Sequence, residues 1–587
     1  MNELEFAEQQ FLEKLERSLR CIRSGERLSL EASMEELCKL LLLQICLERK
    51  NGQSLSTFVN DFLQSKEEMS IFYQRVFDRF APSYIFIGWD SLKLGRETIE
   101  KVAQELTKSS LFEEDQAAKA RAFTEFLQHY YSGYLSEYST PQALNEYIWD
   151  VINPQKVCSI ADPCCGLGGG LVEGISRSSH TLLVKGLEIN RSVANIANLH
   201  LMMYGYEAGT VDCTDMFEAN GFSNDGPFDA LISHLPLRHR MINSSKKNES
   251  SRAFSSSVHE DVVIKMILRL LRPGGLAAIV VSDELLMSQY RAGNRLWLSD
   301  NYQILNITRF EGLSFNGDLV ERPYNVLFLR NSATKTDECL ATLINYGSEK
   351  RDIKAAAMSL RNAIYSRVLE LPHDNHLRRF SLSNEKVWNV NLFYAREIIS
   401  WKYETCLLGD LVIHDRQRAS IKETSKYNQL TVKNKGLGVV ERKDKYIWSA
   451  SSSGNARFIA RSGQLIVSSL DADKGAVGIV PKTLDGALVS RNYYLFTITS
   501  QRIDPDYLAM VLSSEPVLKQ IVYQKSDNIM SRISLEKIVS LVIPLPALDE
   551  QKRLVNTLIY RMRKAIRAQE ELESEQIRFA RMLYGPE

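Results

Sequence analysis

The residues best suited to chemistry lie in one glycine-rich run in the middle of the chain. The run reads Asp162-Pro163-Cys164-Cys165-Gly166-Leu167-Gly168-Gly169-Gly170. It follows an apolar pattern that predicts a buried strand and precedes an amphipathic pattern that predicts a helix. Glycines at such a turn let the backbone approach a ligand closely and expose helix-start N–H groups. The run predicts a ligand-binding turn, the alternative being a glycine-rich turn that holds no ligand.

An acidic residue at the end of the next predicted strand indicates that the ligand contains a ribose. Glu188 ends the next predicted strand, 20 residues after Gly168. A carboxylate at that spacing can accept hydrogen bonds from ribose hydroxyls. Position 171 is Leu, so the pattern Gly-x-Gly-x-x-Gly is absent, which disfavours a nicotinamide or flavin cofactor.

The glycine-rich run resembles the S-adenosylmethionine motif of DNA adenine N6-methyltransferases, and it is most similar to the modification subunit of type I restriction–modification systems. Four more runs resemble that family in the same order: Tyr138-Ser139-Thr140-Pro141, Gly186-Leu187-Glu188-Ile189-Asn190, Asp212-Cys213-Thr214-Asp215-Met216 and Arg272-Pro273-Gly274-Gly275. The resemblance covers residues 30 to 330 and implies S-adenosylmethionine as the cofactor. The residues it implies for cofactor binding are Tyr138, Thr140, Pro141, Asp162, Pro163, Cys165, Gly166, Gly168, Gly169, Glu188 and Asp215.

The resemblance also implies a role for some of these residues. Thr140 and Pro141 belong to the element beside the methionine end of the cofactor. Glu188 binds the ribose, and Asp215 binds the adenine amine.

The catalytic motif departs from the family. After the strand pattern Phe228–Ile232 the family has Asn-Pro-Pro-Phe or Asn-Pro-Pro-Tyr, whereas this chain has His234-Leu235-Pro236-Leu237. In the family the Asn side chain accepts a hydrogen bond from the flipped adenine amine, and the aromatic ring stacks on the base. Neutral His can accept at one nitrogen, but Leu offers no aromatic face. We therefore expect methyl transfer to adenine to be weak or absent.

A polar segment over residues 239–257 follows this motif. In the family this position is a mobile loop near the target base, and the alternative is a solvated surface loop. Phe254, within the segment, is a candidate for the missing aromatic ring.

The region over 401–546 is rich in strand patterns and basic. It holds 20 Lys and Arg against 14 Asp and Glu, although the whole chain is neutral. Cationic side chains neutralise DNA phosphates, so the region predicts a DNA-binding surface, the alternative being a solvated β surface. The candidate DNA-binding residues are Arg416, Arg418, Lys422, Lys426, Lys433 and Lys435.

Residues 401–583 resemble one target-recognition unit of a type I specificity subunit. The matching runs are Leu408-Gly409-Asp410-Leu411-Val412, Ser462–Ser468, Val489–Tyr493, Asp504–Leu508, Ser531–Ser534 and Ile543–Pro546 followed by Glu550-Gln551. The resemblance implies that this module reads double-stranded DNA in the major groove. A specificity subunit normally has two such units and this chain has one. The final helix, predicted over Glu550–Leu583 with the stripe Leu554, Leu558, Met562 and Ile566, is therefore expected to pair with a second copy or with a related restriction or defence subunit.

The hydrophobic pattern predicts the elements that position these residues. Residues 1–125 read as a helical domain, in which Leu4, Phe11, Leu15, Leu19 and Ile22 share one helix face and Ser33–Glu36 form a capping box. Residues 126–335 alternate strand and helix patterns, with short apolar strand runs at Val157–Ala161, Leu182–Glu188, Phe228–Ile232, Leu276–Val281 and Val326–Leu329. This alternation predicts a doubly wound α/β sheet, and the resemblance implies that it is the class I methyltransferase fold. We expect a connector over 336–400, the β-rich target-recognition domain over 401–546 and the C-terminal helix within 547–587.

Composition narrows the class of protein. The 587 residues include 44% hydrophobic and 25% charged residues, which excludes a disordered or collagen-like chain. The acidic start does not resemble a signal peptide, and no apolar stretch approaches the ~20 residues needed to cross a bilayer, so a cytoplasmic protein without membrane contact is expected. The nine cysteines form no Cys-x-x-Cys pair, which predicts a reduced protein without a metal site.

Three functions stay open at this point. The first is an active DNA adenine methyltransferase, and the second is an inactive S-adenosylmethionine-binding sensor or targeting subunit in phage defence. Methylation of RNA or protein fits the sheet but not the recognition module. The sequence shows no Walker motif and no nuclease constellation, so cleavage of DNA would need a partner.

Overall fold

The fold is described from a computed structural model. It describes residues 3–583 except 52–54, 66–67, 81–85, 107–110, 112–115, 132–138, 217–225, 236–259, 289–290, 312, 316–317, 321–322, 334–336, 345–347, 366–376, 383–386, 392, 395–400, 416–427, 442–456, 525–531, 559–573, 577 and 580–581. The chain divides into two compact units. The first unit comprises residues 1–285 with 293–384, and the second comprises 286–292 with 385–587.

The first unit begins with helices. They are α1 (Glu3–Glu26), α2 (Leu30–Asn51), α3 (Leu55–Gln64), α4 (Met69–Phe80), α5 (Arg96–Leu106), α6 (Gln116–Tyr131) and α7 (Gln142–Ile152). The side chains of Phe11, Leu15, Leu19 and Ile22 are all buried along α1, which confirms the predicted apolar face.

The predicted capping box at Ser33–Glu36 is wrong, because α2 begins before it at Leu30. The Ser29 hydroxyl accepts the N–H of Ala32 at 3.2 Å and so caps the helix instead. Glu36 is buried inside the helical region and accepts from the Lys39 ammonium at 2.7 Å. A buried carboxylate paired in this way stabilises the packing of the helices rather than the start of α2.

A nine-stranded mixed sheet forms the centre of the first unit. Its strands are β1 (Ser159–Asp162), β2 (Leu183–Glu188), β3 (Val211–Cys213), β4 (Phe228–His234), β5 (Leu271–Val281), β6 (Gln303–Phe310), β9 (Tyr324–Arg330), β10 (Glu338–Ile344) and β11 (Leu377–Ser381), while β7 (Leu313–Phe315) and β8 (Asp318–Val320) pair separately. The order is β11-β10-β6-β9-β5-β4-β1-β2-β3, in which β3, β2, β1, β4 and β5 are parallel and β9 is antiparallel to β5 and β6. The five predicted strand patterns are β1, β2, β4, β5 and β9, which confirms the α/β class.

Helices connect the strands and cover the sheet. They are α8 (Gly169–Arg177), α9 (Arg191–Met203), α10 (Glu260–Leu268), α11 (Asp283–Met287), α12 (Ala292–Asn301) and α13 (Lys350–Tyr365). The indole of Trp149, on α7, is fully buried and donates to the C=O of Gly170 at 2.7 Å. Burying an aromatic side chain contributes about 1.5–3 kcal/mol, so this contact holds α7 firmly against the start of α8.

Two described strands within the expected connector over 336–400, β10 and β11, belong to the nine-stranded sheet. β10 runs parallel to β6, and β11 runs antiparallel to β10 with Cys339 opposite Phe380. Between them α13 buries Ala356, Ala357 and Leu360 against the apolar core. The sequence is polar because strands near a sheet edge and a helix on its surface bury only one face.

The second unit is rich in short strands. They are β12 (Thr405–Leu407), β13 (Val412–Asp415), β14 (Leu430–Val432), β15 (Val439–Glu441), β16 (Arg457–Ile459), β17 (Leu465–Ser468), β18 (Val477–Ile479), β19 (Leu488–Ser490), β20 (Tyr493–Ile498) and β21 (Val542–Pro544). Its helices are α14 (Pro505–Leu512), α15 (Glu515–Gln524) and α16 (Leu535–Val539). Strands β13-β20-β17-β18 form an antiparallel sheet, and the pairs β12-β21, β14-β15 and β16-β19 form smaller ones.

The predicted C-terminal helix is described only in part. Residues 548–558 are helical, and so are residues 574–576, 578–579 and 582–583. Met562 and Ile566 of the predicted stripe lie outside the described residues. Within the part of the chain that the structure describes, no helix combines the length and the apolar character needed to cross a membrane.

Candidate functional site

Polar side chains from several segments meet where the parallel strands of the sheet end. β1 runs parallel to β2 with Asp162 opposite Gly186, and Glu188 of β2 lies opposite Cys213 of β3. On the other side of β1, β4 ends at His234. Parallel strands end at the same edge, so these ends lie side by side. The chain reverses its direction across the sheet between β1 and β4, and open α/β sheets form their ligand crevice at such a point.

The glycine-rich turn between β1 and α8 has a backbone that requires glycine. Gly166 has φ of 52° and Gly168 has φ of 79°, both in the left-handed region. The N–H of Gly168 donates to the C=O of Cys165 at 2.8 Å. A Cβ added to Gly170 would lie 2.8 Å from the Cδ1 of Ile232, so α8 begins in close contact with β4. The predicted strand, turn and helix are all present in this order.

Two further residues of the predicted cofactor set hold the turn in place. Pro163 and Cys165 are both buried. The N–H of Cys165 donates to the C=O of Leu187 at 2.9 Å, which ties the turn to β2. The turn is therefore fixed to the same strand that carries the carboxylate of Glu188.

Three carboxyl groups converge on this turn. Burial raises the pKa of the Cys164 thiol, and the charges of Asp162, Glu188 and Asp215 raise it further. All three carboxyls therefore lie within electrostatic range of this one thiol. Concentrated negative charge suits a ligand that carries positive groups, and S-adenosylmethionine carries an ammonium and a sulfonium group.

One of these carboxyls, Asp162, has a pKa well above its usual range. It is buried, with 6% of its surface exposed, and one of its oxygens accepts the N–H of Cys164 at 3.0 Å. Burial raises the pKa of Asp162 to about 7, and the nearby charge of Glu188 contributes to the rise. A carboxyl with a pKa near neutrality ionises when a cation binds beside it.

Glu188 is held in a fixed orientation at the end of β2. Its Oε1 accepts the N–H of Asn190 at 2.7 Å. The Asn190 side chain in turn caps α9 by accepting the N–H groups of Ser192 and Val193. Ile189, between the two, is 41% exposed and offers apolar surface beside the carboxylate. A fixed carboxylate and an exposed aliphatic side chain can together hold a ribose and cover one face of a base.

Thr140 and Pro141 directly precede α7. That helix carries Asn145, a residue of the site that the sequence did not predict. The C=O of Pro141 accepts the N–H of Asn145 at 3.0 Å. The buried Asn145 amide lies 3.5 Å from the position that a Cβ on Gly169 would take, so it borders the glycine-rich turn. Its signal in the sequence is a polar residue on the buried face of a helix. Tyr138 lies outside the described residues.

His234 marks the target side of the site. Its Nδ1 lies 3.1 Å from the Thr140 hydroxyl, and the Tyr324 ring contacts it edge-on with centroids 5.5 Å apart. Burial lowers the pKa of His234 to about 4, so the ring is neutral at pH 7. A neutral imidazole has one donor and one acceptor nitrogen, and Thr140 engages one of them. Tyr324 comes from β9, 90 residues away in the chain, and no local pattern points to it.

The rest of the predicted target motif is described only in part. Leu235 is buried, with 2% of its surface exposed. Pro236, Leu237 and the segment 239–257, which includes Phe254, lie outside the described residues.

Two of the predicted DNA-binding residues lie on one hairpin of the second unit. Lys433 and Lys435 are exposed on the turn between β14 and β15. The N–H of Lys435 donates to the C=O of Lys474 at 2.8 Å, which joins this turn to a second one. The exposed Lys474 pairs with Asp471 at 2.7 Å and adds a cation that the sequence analysis missed. Arg416, Arg418, Lys422 and Lys426 lie outside the described residues.

The strand order, with one antiparallel strand inserted beside β5, defines a class I methyltransferase fold preceded by helices. A chain from a structural study of assembly and conformational transition in the type I restriction–modification system is similar to it, with a TM-score of 0.51 and 14% identity over 64% of this chain and 89% of that one. The type I restriction–modification methyltransferase subunit from Streptococcus thermophilus covers 65% of this chain and 98% of its own length, with 14% identity and a TM-score of 0.47. A modification subunit of a putative type I restriction enzyme from Vibrio vulnificus covers 64% and 93%, with 16% identity and a TM-score of 0.45.

One protein family matches the middle of the chain. Residues 120–382 match the family described as N-6 DNA Methylase. The matched segment contains the glycine-rich turn, the three carboxyl groups and the whole nine-stranded sheet. Residues 1–119 and 383–587 lie outside it. The match indicates an N-6 DNA Methylase domain over this segment, for which S-adenosylmethionine is the cofactor.

Proposed function

We propose that this protein is an S-adenosylmethionine-binding, DNA-binding protein of the adenine N6-methyltransferase type, working in a restriction–modification or phage-defence system, with its own target-recognition domain over 401–546. The observation that supports it best is the convergence of Asp162, Glu188 and Asp215 on the glycine-rich turn. This cluster lies within the segment that matches the N-6 DNA Methylase family.

On the cofactor side, the residues of the site offer a binding group for each end of S-adenosylmethionine. Glu188, fixed by Asn190, accepts hydrogen bonds from the ribose hydroxyls, while Asp215 accepts from the adenine amine. Asp162 and the Thr140-Pro141 element lie toward the methionine end, where the carboxyl of Asp162 balances positive charge. When bound, the cofactor supplies an electrophilic methyl group, and the protein contributes its orientation and the exclusion of water.

On the target side, the chemistry is weaker. The acceptor for an adenine amine is an imidazole with one acceptor nitrogen, and its Nδ1 is engaged with Thr140. If Nδ1 accepts the Thr140 proton, Nε2 carries a hydrogen and opposes the adenine amine donor. If Nδ1 donates, Nε2 is free to accept, but it lies farther from the backbone than an Asn amide does. We therefore propose weak or absent methyl transfer by the chain alone.

The second candidate function follows from the same histidine. A chain that binds the cofactor and DNA but transfers no methyl group works as a sensor or targeting subunit of a defence complex. Its DNA-binding domain and its cofactor site would be those proposed above. The neutral, hydrogen-bonded His234 in place of an Asn favours this reading over an efficient enzyme.

The proposed DNA surface comprises the two joined turns with Lys433, Lys435 and Lys474. Their hydrogen-bonded backbones hold three exposed ammonium groups on one small platform. Such a platform suits the closely spaced phosphates of a DNA strand.

A second copy of the chain is the proposed partner of the C-terminal helix. Leu554 is 38% exposed and Leu558 is 43% exposed on residues 548–558, while Val555 is buried against the second unit's core. Sedimentation of the wild-type chain against Leu558→Glu tests this proposal, with a dimer expected only for the wild type. A monomer for both chains at micromolar concentration would contradict it.

One experiment separates the two candidate functions. The full chain is titrated with S-adenosylmethionine in a calorimeter, and tritiated methyl transfer is then measured on the DNA that it binds most tightly. Binding of cofactor and DNA without transfer supports the sensor, and robust transfer supports the enzyme. Absence of cofactor binding by the folded chain would contradict both.

A further inference from the structure

A buried histidine lies between the helical region and the glycine-rich turn. His200, on α9, is 1% exposed. Its Nδ1 lies 2.9 Å from the C=O of Leu167, inside the turn, and its Nε2 lies 2.8 Å from the hydroxyl of Thr124 on α6. The ring of Phe123 packs edge-on against it, with centroids 5.6 Å apart. The imidazole is therefore held on two edges and one face.

The direction of the hydrogen bonds follows from the partners. A carbonyl oxygen only accepts, so Nδ1 carries the hydrogen and donates to Leu167. Burial lowers the pKa of His200 to about 4, so the ring is neutral and Nε2 accepts from Thr124. The Tyr204 hydroxyl lies 3.2 Å from the Thr124 oxygen and can donate to it. The Thr124 oxygen also lies 3.0 Å from the C=O of Ala120. When its single proton goes to Nε2 rather than to that carbonyl, the hydrogen bonds run in one direction from Tyr204 to the turn.

The contact holds a peptide that lies between two glycines of the turn. Gly166 and Gly168, on either side of Leu167, both have positive φ and no Cβ to restrict rotation. The Leu167–Gly168 peptide is fixed by hydrogen bonds at both ends, its C=O by His200 and its N–H by the C=O of Cys165. Loss of the His200 bond would leave a buried carbonyl without a partner and the peptide free to rotate.

We propose that His200 is a positioning residue for the cofactor, which presets the shape of the glycine-rich turn and couples it to α6 of the helical region. The inference rests on the proposed function, because it needs the turn to bind S-adenosylmethionine. A turn already held in its bound shape binds a ligand without the entropic cost of ordering the backbone. His200 does not touch the cofactor and acts through Leu167.

Two substitutions separate this role from a general effect on folding. In His200→Asn the amide nitrogen takes the place of Nδ1 and keeps the bond to Leu167, but the contact with Thr124 is lost. In His200→Gln the amide oxygen reaches the place of Nε2 and keeps the contact with Thr124, but the bond to Leu167 is lost. Both variants disturb the same core, so their effects on unfolding should be similar.

A matched control lies on the same helix. Asn195 is 1% exposed, and its amide donates to the C=O of Ile87 at 3.2 Å. Asn195→Leu removes a buried hydrogen bond between α9 and the helical region without touching the turn. It is expected to lower the unfolding temperature and to leave cofactor affinity unchanged.

The test measures the Kd for S-adenosylmethionine, the unfolding temperature and amide exchange over 162–171 in the full chain. His200→Gln is expected to raise Kd about 5- to 50-fold, the range typical of coupling between a contact and a distant site. It should also speed exchange in the turn, while His200→Asn stays near wild type in both. Equal Kd values for His200→Gln and wild type, or equal losses in both variants, would overturn the inference alone.

Two further outcomes are distinguishable. Failure of the wild-type chain to bind the cofactor overturns the proposed function and this inference with it. If His200→Gln does not fold, Thr124→Val replaces it, because it removes the donor to Nε2, along with the Thr124 contacts to Ala120 and Tyr204, and leaves the bond from Nδ1 to Leu167 in place. That variant is expected to raise Kd by less than His200→Gln, and an unchanged Kd with unchanged exchange in the turn would overturn the coupling to α6.

Discussion

The two sides of one sheet edge differ in charge. On the cofactor side, Asp162, Glu188 and Asp215 concentrate carboxyl groups around the glycine-rich turn. On the target side, His234 is a neutral ring with a pKa of about 4, fixed between Thr140 and Tyr324. One half of this edge therefore carries the carboxyl groups proposed to bind the cofactor, while the other half carries a neutral imidazole where the resembled family has an amide acceptor.

The largest expected effect concerns the target side. In the variant His234→Asn, Leu235→Pro, Leu237→Phe, we expect methyl transfer to rise by about 30-fold to several thousandfold, because an acceptor and a stacking ring together contribute about 2–5 kcal/mol. Tritiated methyl transfer to tightly bound DNA measures it. Leu235 is buried, so the unfolding temperature of the variant serves as its control. Robust turnover by the wild-type chain would remove the contrast between the two sides.

The next effect tests the cofactor side. Glu188→Ala removes a buried acceptor and should weaken S-adenosylmethionine binding by about 1.5–3 kcal/mol, which is roughly 10- to 150-fold in Kd. Calorimetry on the full chain measures the change. Glu207→Ala is the matched control, because that side chain is 91% exposed in the same unit. An equal loss in both variants would show that the effect is not local.

A smaller effect is expected from pH, and its sign follows from Asp162. The free carboxyl has a pKa of about 7, raised by burial, and the bound cofactor needs it ionised. As the pH falls below 7, the free protein holds a proton that binding must release, so affinity should fall by up to about tenfold per pH unit. Calorimetry between pH 7.5 and about 5.5 checks this. In Asp162→Asn the slope should vanish, and a slope that persists there would assign the titration to another group.

The smallest effect tests the second unit. Lys435→Ala and Lys474→Ala should each lower DNA affinity several-fold and reduce the slope of log K against log salt by about 0.9 if each side chain neutralises one phosphate. Fluorescence anisotropy at several salt concentrations measures the slope. Lys519→Ala is the control, since that side chain is 52% exposed on α15 and pairs with Glu515. A slope that is unchanged in both turn variants would place the DNA surface elsewhere.

The hydrophobic pattern predicted most of the fold where the elements bury a whole face. β1, β2, β4, β5 and β9 are predicted because strands that are covered on both faces appear as short apolar runs. β3, β6, β10 and β11 were missed. The apolar pattern of β6 is interrupted by the buried polar residues Asn306, Thr308 and Arg309, and β11, at the sheet edge, carries Arg378 and Arg379. The start of α2 was missed because Ser29 and Ser33 are both good caps, and in the folded chain Glu36 accepts the N–H of the distant Lys93 instead of completing a capping box with Ser33.

The residues of the candidate site also divide into those that the sequence predicted and those that it did not. The sequence by itself determined the glycine-rich turn and its distal acid, because their geometry depends on residues adjacent in the chain. Only the tertiary structure decided that Asn145, Tyr324 and His200 border this site, since they come from separate elements. His200 and Thr124 are 76 residues apart, and Thr140 and His234 are 94 apart. The protonation of Asp162, His200 and His234 was also decided there, because burial sets a pKa and burial exists only in the folded chain.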